Sequence, residues 1–264
     1  MIWVLAGTKE GREIIRLLRE AGTEVLATAI TAYGGDLLAA EGSAATVVRA
    51  LSQPEMAELI RERGIRAVVD ATHPFARSAS ENARGACHEA NIPYIRYERE
   101  PASLPDHPLL IRVPDVDAAA ARAARAGGVI FLTTGSNTLE AFLRAARERG
   151  RRVVARVLPD PGVLSRCLAL GFSPRDIIAM QGPFSRELNR ILYLEYGASV
   201  VVTKESGDIG GVAAKVEAAL DLSLPVVVID RPAVDYGRVV RSHQDLLREL
   251  EEAFHGFPRR SQGY

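Results

Sequence analysis

Four apolar segments of this 264-residue chain stop at a threonine, and a glycine, proline or lysine follows within two positions. The segments are WVLAGT, AVVDAT, VIFLTT and SVVVT, which end at Thr8, Thr72, Thr134 and Thr203. A short apolar run that stops at a hydroxyl and a turn is typical of a buried parallel strand. Ligands of open α/β sheets bind outside the carboxyl ends of the strands. We therefore expect the four threonines to rim one pocket or two facing pockets.

Predicted strands alternate with predicted helices along the chain, which indicates βαβ units and parallel sheets. The first half predicts strands at 2–6, 25–30, 46–49, 67–71 and 93–96, with helices at 10–20, 54–63 and 76–90. After the loop 99–108, strands are expected at 110–113, 129–133, 153–157, 177–180, 199–202 and 225–229, with helices at 116–125, 138–149, 162–170, 186–196 and 211–219. The expected fold class is α/β, with two consecutive doubly wound parallel-sheet domains at 1–100 and 101–254 and a frayed tail at 255–264.

Composition excludes several classes of function. Lys and Arg together equal Asp and Glu at 33 each, which argues against a nucleic-acid partner. No apolar run approaches the roughly 20 residues of a membrane span, so no membrane partner is expected. The two cysteines have no metal-site spacing and predict neither a disulfide framework nor a metal centre. The start lacks a basic leader, so a cytoplasmic protein is expected. A monomer is the working expectation, although the sequence leaves the oligomeric state open.

The first strand-to-helix turn holds the first candidate binding residues, Gly7, Thr8 and Gly11. A dinucleotide phosphate binds at this place in a βαβ unit, on the N-terminus of the first helix. The turn is not a GxGxxG motif, so a tight turn without a ligand is the alternative. The loop after the second strand, with Thr31 and Tyr33, would meet the ribose or form only a surface turn. No Arg or Lys lies between positions 28 and 40, which leaves NADH and NADPH both open.

The third loop reads Thr72, His73, Pro74 and, one turn further on, Arg77. Pro74 is expected near the first position of the next helix, with Thr72 or His73 near its cap. A histidine at the mouth of a sheet could contact a pyrophosphate or carry a proton, or it could only cap the helix. Arg77 would face an anionic substrate or remain a surface charge.

In the second half, hydroxyl-rich and glycine-rich turns at 133–137, 181–186 and 203–208 suit anion binding. Lys204 stands out because the chain has three lysines and thirty arginines. It could clamp a phosphate or donate a proton, and the alternative is an ordinary salt bridge to Glu205.

Taken together and in order, these motifs resemble the precorrin-6A reductase family of cobalamin biosynthesis, including the cobalt-precorrin-6A reductases. The matching stretches are LAGTKEGREI, DATHPFA, YIRYEREP, TTGSN, ARVLP, QGPFS, TKESG with Gly210, Gly211 and Lys215, and PVVVIDRP. The resemblance implies two Rossmann-like domains, an N-terminal one for the dinucleotide and a C-terminal one for the substrate, with the active site in a cleft between them. It also implies NADPH or NADH as cofactor and a tetrapyrrole substrate, with hydride delivered to C19 and a proton to C18.

The resemblance carries over to individual residues. Dinucleotide contacts are expected from Gly7, Thr8, Gly11, Thr31, Tyr33, Thr72, His73, Pro74, Thr134, Gly135 and Ser136. Macrocycle contacts are expected from Gln181, Gly182, Ser185, Lys204 and Ser206. Lys204 or His73 would supply or relay the proton. Many family members carry an arginine shortly after the second strand, but TAYGGDLL has none here, so NADH is a real possibility.

The acetate and propionate groups of such a substrate call for guanidinium partners, which bind carboxylates bidentately. Loop-adjacent arginines that could fill this role are Arg12, Arg77, Arg96, Arg99, Arg156 and Arg186. Three alternatives compete with the reductase. A different Rossmann-type oxidoreductase would usually carry a Tyr-x-x-x-Lys pair, which is absent. A non-catalytic nucleotide-sensing module would not explain hydroxyl-rich loops in both halves. A methyltransferase of the same pathway would be expected to show a glycine-rich adenosylmethionine loop, which is also absent.

Overall fold

A computed structural model describes residues 1–30, 32–41, 45–207 and 210–254, except for the side chains at 32 and 33. Thr31 and the tail 255–264, both named above, lie outside the described residues. The chain forms two compact units, one made of 1–100 with the segment from Ala233 onward, and one made of Pro101–Pro232. Among the described residues, no helix is long and apolar enough to cross a membrane.

The first unit is built on six parallel strands in the order β3-β2-β1-β4-β5-β12. These strands are β1 (Ile2–Ala6), β2 (Val25–Ala29), β3 (Ala45–Val48), β4 (Ala67–Ala71), β5 (Tyr94–Tyr97) and β12 (Val239–Val240). The helices are α1 (Lys9–Glu20), α2 (Ala32–Ala40), α3 (Gln53–Glu62), α4 (Arg77–Glu89) and α10 (His243–Ala253). This order is that of a dinucleotide-binding sheet. The order in which the chain adds strands reverses between β1 and β4, and we call this place the switch point.

The strands of the first unit are apolar on both faces because helices cover both faces of the sheet. Ile14, Ile15 and Leu18 of α1 pack on one face, and Met56 and Ile60 of α3 pack on the other. All five residues of β1, β2 and β4 are buried. The continuous apolar runs therefore predicted these strands correctly.

The C-terminal segment belongs to the first unit, which corrects the predicted second domain of 101–254. β12 pairs with β5 in register Val239↔Arg96 and Val240↔Tyr97. Leu246 and Leu250 of α10 are buried in the core beneath the first sheet. The alternation of strand and helix along the chain does not reveal this pairing, because its hydrogen bonds join strands about 140 residues apart.

A helix also occupies the loop predicted after the second strand. α2 contains Gly34 and Gly35, and glycine is a poor helix former. Leu38 of this helix is buried in the first core. Tertiary burial therefore outweighs the low helix propensity of the segment.

The second unit has six parallel strands in the order β9-β8-β7-β10-β11-β6. They are β6 (Leu110–Val113), β7 (Val129–Leu132), β8 (Arg152–Val157), β9 (Ile177–Ala179), β10 (Ala198–Lys204) and β11 (Val226–Ile229). The helices are α5 (Val116–Ala126), α6 (Leu139–Arg147), α7 (Pro161–Ala169), α8 (Arg186–Glu195) and α9 (Val212–Leu220). The predicted class of two Rossmann-like parallel-sheet domains is confirmed.

The order in which the chain adds strands to the second sheet reverses between β7 and β10, which makes this the switch point of that sheet. Phe131 of β7, Val154 of β8 and Val201 of β10 form a buried layer with Tyr193 of α8 and Val216 of α9. β10 extends through Thr203 to Lys204, two residues beyond its predicted end at 202. Thr8, Thr72 and Thr134 follow β1, β4 and β7 at the switch points, where an open α/β sheet binds its ligand. Thr203 lies inside β10 and is fully buried, which corrects the expectation that it rims a pocket.

Candidate functional site

The first switch point begins at the turn between β1 and α1. Thr8 is the N-cap of α1, and its hydroxyl accepts a hydrogen bond from the Gly11 amide at 3.3 Å. The same hydroxyl donates to the carbonyl oxygen of Ala71 at the end of β4, at 3.0 Å. Thr8 therefore joins the two strand ends that flank the switch point, and it leaves the N-terminus of α1 facing the crevice.

The two glycines of this turn have different surroundings. A Cβ at Gly11 would lie 2.8 Å from the Cα of Ala6, so only glycine allows α1 to pack this closely on β1. A Cβ at Gly7 would meet nothing within 4 Å. Glycine is the expected residue where a backbone approaches a ligand. Gly11 is thus required by the fold, whereas Gly7 is exposed and a side chain there would meet open space.

A buried polar network lies under the end of β4. The carboxylate of Asp70 accepts hydrogen bonds from the backbone N–H and the hydroxyl of Thr72, at 2.9 and 2.7 Å. It also accepts from Tyr94 Oη at 2.6 Å and from Arg96 Nη1 at 2.9 Å. Arg96 in turn donates to the Thr72 hydroxyl at 3.0 Å. Asp70 and Arg96 are fully buried, so Thr72 is held by an ion pair rather than by solvent.

The loop after Thr72 is longer than predicted. α4 begins at Arg77 with Ala76 as its N-cap, so neither Thr72 nor His73 caps the helix and Pro74 lies before it, which corrects the prediction. His73 instead accepts a hydrogen bond at Nδ1 from the Phe75 amide, at 3.2 Å. This geometry leaves Nε2 as the nitrogen of His73 that carries the proton in the neutral ring.

Four of the predicted substrate arginines already have carboxylate partners. Arg96 pairs with Asp70 at 2.9 Å and Arg186 with Asp221 at 2.5 Å. Arg77 donates from Nε to Glu81 at 2.7 Å on the exposed face of α4. Arg99 lies 3.0 Å from Glu10, and both side chains are largely buried. Arg99 and Glu10 line a small cavity together with Thr8, Ala71, Thr72, Pro74, Arg96 and Tyr97. Arg12, in the first turn of α1, is partly buried.

The turn after β7 carries the predicted hydroxyl groups of the second unit. The hydroxyls of Thr134 and Thr138 are 2.8 Å apart, and the Thr133 hydroxyl donates to the Val202 carbonyl at 2.9 Å. Gly135 has a φ of 77°, which a residue with a side chain rarely adopts. A short 3-10 helix from Ser136 to Thr138 then leads into α6. Thr133 thus plays the joining role here that Thr8 plays in the first unit.

Lys204 ends β10 beside that turn, and burial lowers the pKa of its ammonium group. The neighbouring Glu205 is buried, and one carboxylate oxygen accepts from the amides of Ala102 and Gly207, both at 2.9 Å. Its other oxygen pairs with Arg231. The Glu205 carboxylate is therefore engaged by the backbone and by Arg231. Ser206 is buried next to it.

A pair of cations in the second unit contains one residue that the sequence did not single out for a role. Arg156 at the end of β8 is 5% exposed, donates to Asn189 Oδ1 at 2.7 Å and stacks over the Phe184 ring at 4.0 Å. Lys215 of α9 donates to the Gly210 carbonyl at 2.8 Å. Burial, followed by the charge of Arg156, lowers the pKa of Lys215 to about 8.

Within the described ranges, neither Arg156 nor Lys215 forms an ion pair. A buried cation without a carboxylate partner favours binding of an anion. Lys215 could have been found from the sequence, because it is one of only three lysines and lies in a matching stretch.

The 181–186 turn lies beside this cation pair. Ser185 is the N-cap of α8 and accepts from the Leu188 amide at 3.2 Å. Gln181 and Gly182 are exposed, and a Cβ at Gly182 would lie 2.9 Å from the Phe184 ring. Gly182 therefore allows Phe184 to lie over Arg156. The contact of Phe184 with Arg156 thus places the 181–186 turn beside the end of β8.

Comparison with known proteins identifies the family of the chain. The family model described as Precorrin-6x reductase CbiJ/CobK matches residues 1–251. A cobalt-precorrin-6A reductase from Priestia megaterium is 42% identical over 254 residues, which cover 95% of this chain and 98% of that protein. One from Methanothermobacter thermautotrophicus is 43% identical over 236 residues, covering 88% of this chain and 76% of that protein.

A solved structure shows the same likeness in three dimensions. It is described as CobK precorrin-6A reductase, with a TM-score of 0.77 and 26% identity over 98% of both chains. The resemblance drawn from the sequence motifs is therefore confirmed over the whole length of the fold. The chain belongs to the precorrin-6x reductase CbiJ/CobK family.

Proposed function

We propose that this chain reduces precorrin-6A, or its cobalt form, to precorrin-6B in cobalamin biosynthesis, with NADH or NADPH as the reductant. The observation that carries the proposal is the β1–α1 turn at the first switch point, where Gly11 closes the helix on the strand and Gly7 is open. The full-length relatives act on this substrate by name, and they share both units with this chain.

The first unit fits a dinucleotide. The crevice at the switch point offers the N-terminus of α1, the Thr8 hydroxyl and the open face of Gly7, which suit a pyrophosphate. Thr72 and His73 follow β4 on the other side of the switch point, where the nicotinamide half would lie. The bound cofactor would supply the hydride to C19 of the macrocycle.

The second unit fits a substrate rich in carboxylates. Among the described residues neither Arg156 nor Lys215 has a carboxylate partner, so a propionate or acetate would balance their charge. Arg77 and Arg99 would have to leave Glu81 and Glu10 to do the same. We therefore assign the main carboxylate contacts to the second unit, together with Gln181, Gly182, Ser185 and Ser206.

Two groups compete for the role of proton donor at C18. Lys204 is favoured because burial lowers the pKa of its ammonium group, which makes that group a better acid. His73 is the alternative, since Nε2 would hold the proton while Nδ1 accepts from Phe75. Because the residues from 28 to 40 include no cation, the choice between NADH and NADPH is left to other parts of the first unit.

The function can be tested in two steps. Titration with NADH and NADPH, followed by nicotinamide fluorescence, measures binding; Trp3 is the only tryptophan and a natural donor for energy transfer. Turnover of metal-free and cobalt-loaded precorrin-6A then separates the two substrates. Binding of a nucleotide without turnover of either substrate would support the nucleotide-sensing module instead.

The proton donor is tested by Lys204→Ala and His73→Ala. General acid catalysis is worth about 100-fold to 10,000-fold in rate, so the variant that removes the acid should lose turnover while it still binds the coenzyme. If both variants keep near-wild-type turnover, neither residue is the acid.

A further inference from the structure

In the first unit, Arg49 lies where the adenosine half of a dinucleotide is expected to bind. It follows β3, whereas in dinucleotide-binding sheets such a cation usually follows the second strand. In dinucleotide-binding sheets the residue after the second strand meets the adenosine ribose, with an acid for a free 2′-hydroxyl and an arginine for a 2′-phosphate. β2 is followed here by Ile30, which is 71% exposed. The nearest acid, Asp36, lies further on, in the second turn of α2.

The neighbouring strand brings Arg49 to the same edge. β2 and β3 are parallel with Ala29 opposite Val48, so Ile30 and Arg49 leave the sheet side by side. The position is well defined, because α2 packs closely on the end of β3. A Cβ at Gly35 would lie 2.5 Å from Cγ2 of Val48. The sheet register, rather than proximity in sequence, therefore puts a guanidinium beside the expected ribose position.

Arg49 is held in place by the first turn of α3. Its Nη1 donates to Glu55 Oε1 at 2.5 Å. The other oxygen of Glu55 accepts from the backbone N–H and the hydroxyl of Ser52, at 2.8 and 2.7 Å, in a capping box. The Arg49 and Glu55 side chains are 56% and 42% exposed, so their ion pair adds little to stability. A guanidinium has five N–H donors and Glu55 engages one of them, so others can reach a phosphate.

We propose that Arg49 recognises the 2′-phosphate of NADPH and that the charge of Glu55 limits how strongly it does so. The inference rests on the proposed function, because it assumes that a nicotinamide dinucleotide occupies the first switch point. A 2′-phosphate is doubly charged near neutral pH and binds arginine through charge-assisted hydrogen bonds. Glu55 repels that phosphate and competes for the same guanidinium. NADH carries a 2′-hydroxyl instead and should respond to neither residue.

The test measures dissociation constants for NADH and NADPH separately in wild-type protein and in two variants. Arg49→Gln should raise the dissociation constant for NADPH by about tenfold or more, the loss expected for a charge-assisted hydrogen bond. It should change the dissociation constant for NADH by less than about twofold. Glu55→Gln should tighten NADPH several-fold, since glutamine keeps the capping-box acceptor and loses only the charge.

A matched pair on the same unit serves as the control. Arg61 and Glu89 form an ion pair at 3.2 Å with side chains 60% and 49% exposed, close to the values for Arg49 and Glu55. They lie at the C-terminal ends of α3 and α4, and hence near the N-terminal ends of the strands, opposite the ends where Arg49 lies. Arg61→Gln and Glu89→Gln should leave both dissociation constants unchanged.

The outcomes separate the inference from the function on which it rests. A wild-type protein that binds NADH but not NADPH would overturn the role of Arg49. An Arg49→Gln variant that changes both coenzymes equally, or neither, would overturn it as well. A wild-type protein that binds neither coenzyme would overturn the proposed function itself.

Discussion

At the scale of single residues, neighbouring positions of the same type have separate roles. Gly7 and Gly11 stand four positions apart in one turn, yet only Gly11 is packed against another backbone. Burial lowers the pKa of both Lys204 and Lys215, and for Lys215 the charge of Arg156 lowers it as well. The residue type alone does not separate these roles, and the surroundings of each residue decide them.

The two glycines give a matched prediction. Gly11→Ala should lower the free energy of unfolding by about 1–3 kcal/mol, because its Cβ would overlap Ala6 and force α1 away from β1. Gly7→Ala should leave stability nearly unchanged and weaken binding of both coenzymes. Urea unfolding and coenzyme titration check the two effects, and equal destabilisation by both substitutions would contradict the distinction.

Lys215 predicts a pH dependence of stability. Its pKa is lowered to about 8 in the folded protein, so between pH 8 and its unfolded value near 10.5 the unfolded chain binds more protons. Stability therefore rises with pH across that window relative to Lys215→Met, which cannot titrate. We expect a relative gain of about 1 kcal/mol between pH 7.5 and 10, because partial exposure reduces the full effect of the shift. Parallel pH profiles of wild type and variant would contradict this.

At the scale of elements, the sequence predicted most strands and helices because their signals are local. An apolar run bounded by turn residues marks β1 or β4, and Ser52 with Glu55 marks the start of α3. The sequence did not predict α2, because the two glycines of this segment are typical of a turn. The helix depends instead on burial of Leu38. The predicted start of α4 is also wrong, because the loop before it is shaped by hydrogen bonds of His73.

The end of β4 offers a prediction at this scale. Asp70→Asn leaves Arg96 buried without a countercharge, and breaking a buried ion pair typically costs about 3–5 kcal/mol. The Asp70→Asn, Arg96→Met double variant should recover part of that loss, since no unpaired charge remains. Urea unfolding measures both. A double variant less stable than Asp70→Asn would show that the network acts mainly through Tyr94 and Thr72.

At the scale of the whole molecule, each sheet has five strands that wind outward from its switch point. A sixth strand pairs at one edge with a strand that is distant in the chain. The first sheet is completed by β12, more than 100 residues after β5, and the second by β6, which precedes its βαβ series. In the first unit the returning segment also brings α10, whose Leu246 and Leu250 enter the core. The unit is thus completed only after the second unit has been synthesised.

This arrangement predicts that a substitution near the C-terminus destabilises the N-terminal sheet. Leu246→Ala should cost about 2–5 kcal/mol, as expected for a buried leucine. Trp3 lies fully buried in β1 and reports on that unit by fluorescence, so its unfolding midpoint should fall. Gln244→Ala, at an exposed position of the same helix, is the control. An unchanged Trp3 transition in Leu246→Ala would contradict the role of α10.

The sequence by itself determined the α/β class, most of the strands, the hydroxyl-bearing turns and the family. These features depend on patterns within about ten residues or on motifs in a fixed order. Only the tertiary structure decided that the C-terminal segment completes the first sheet, that Arg156 is buried against Asn189 and Phe184, and that Arg49 stands beside the end of β2. Each of these depends on pairing or packing between distant segments, which burial and hydrogen bonding select and a local pattern does not encode.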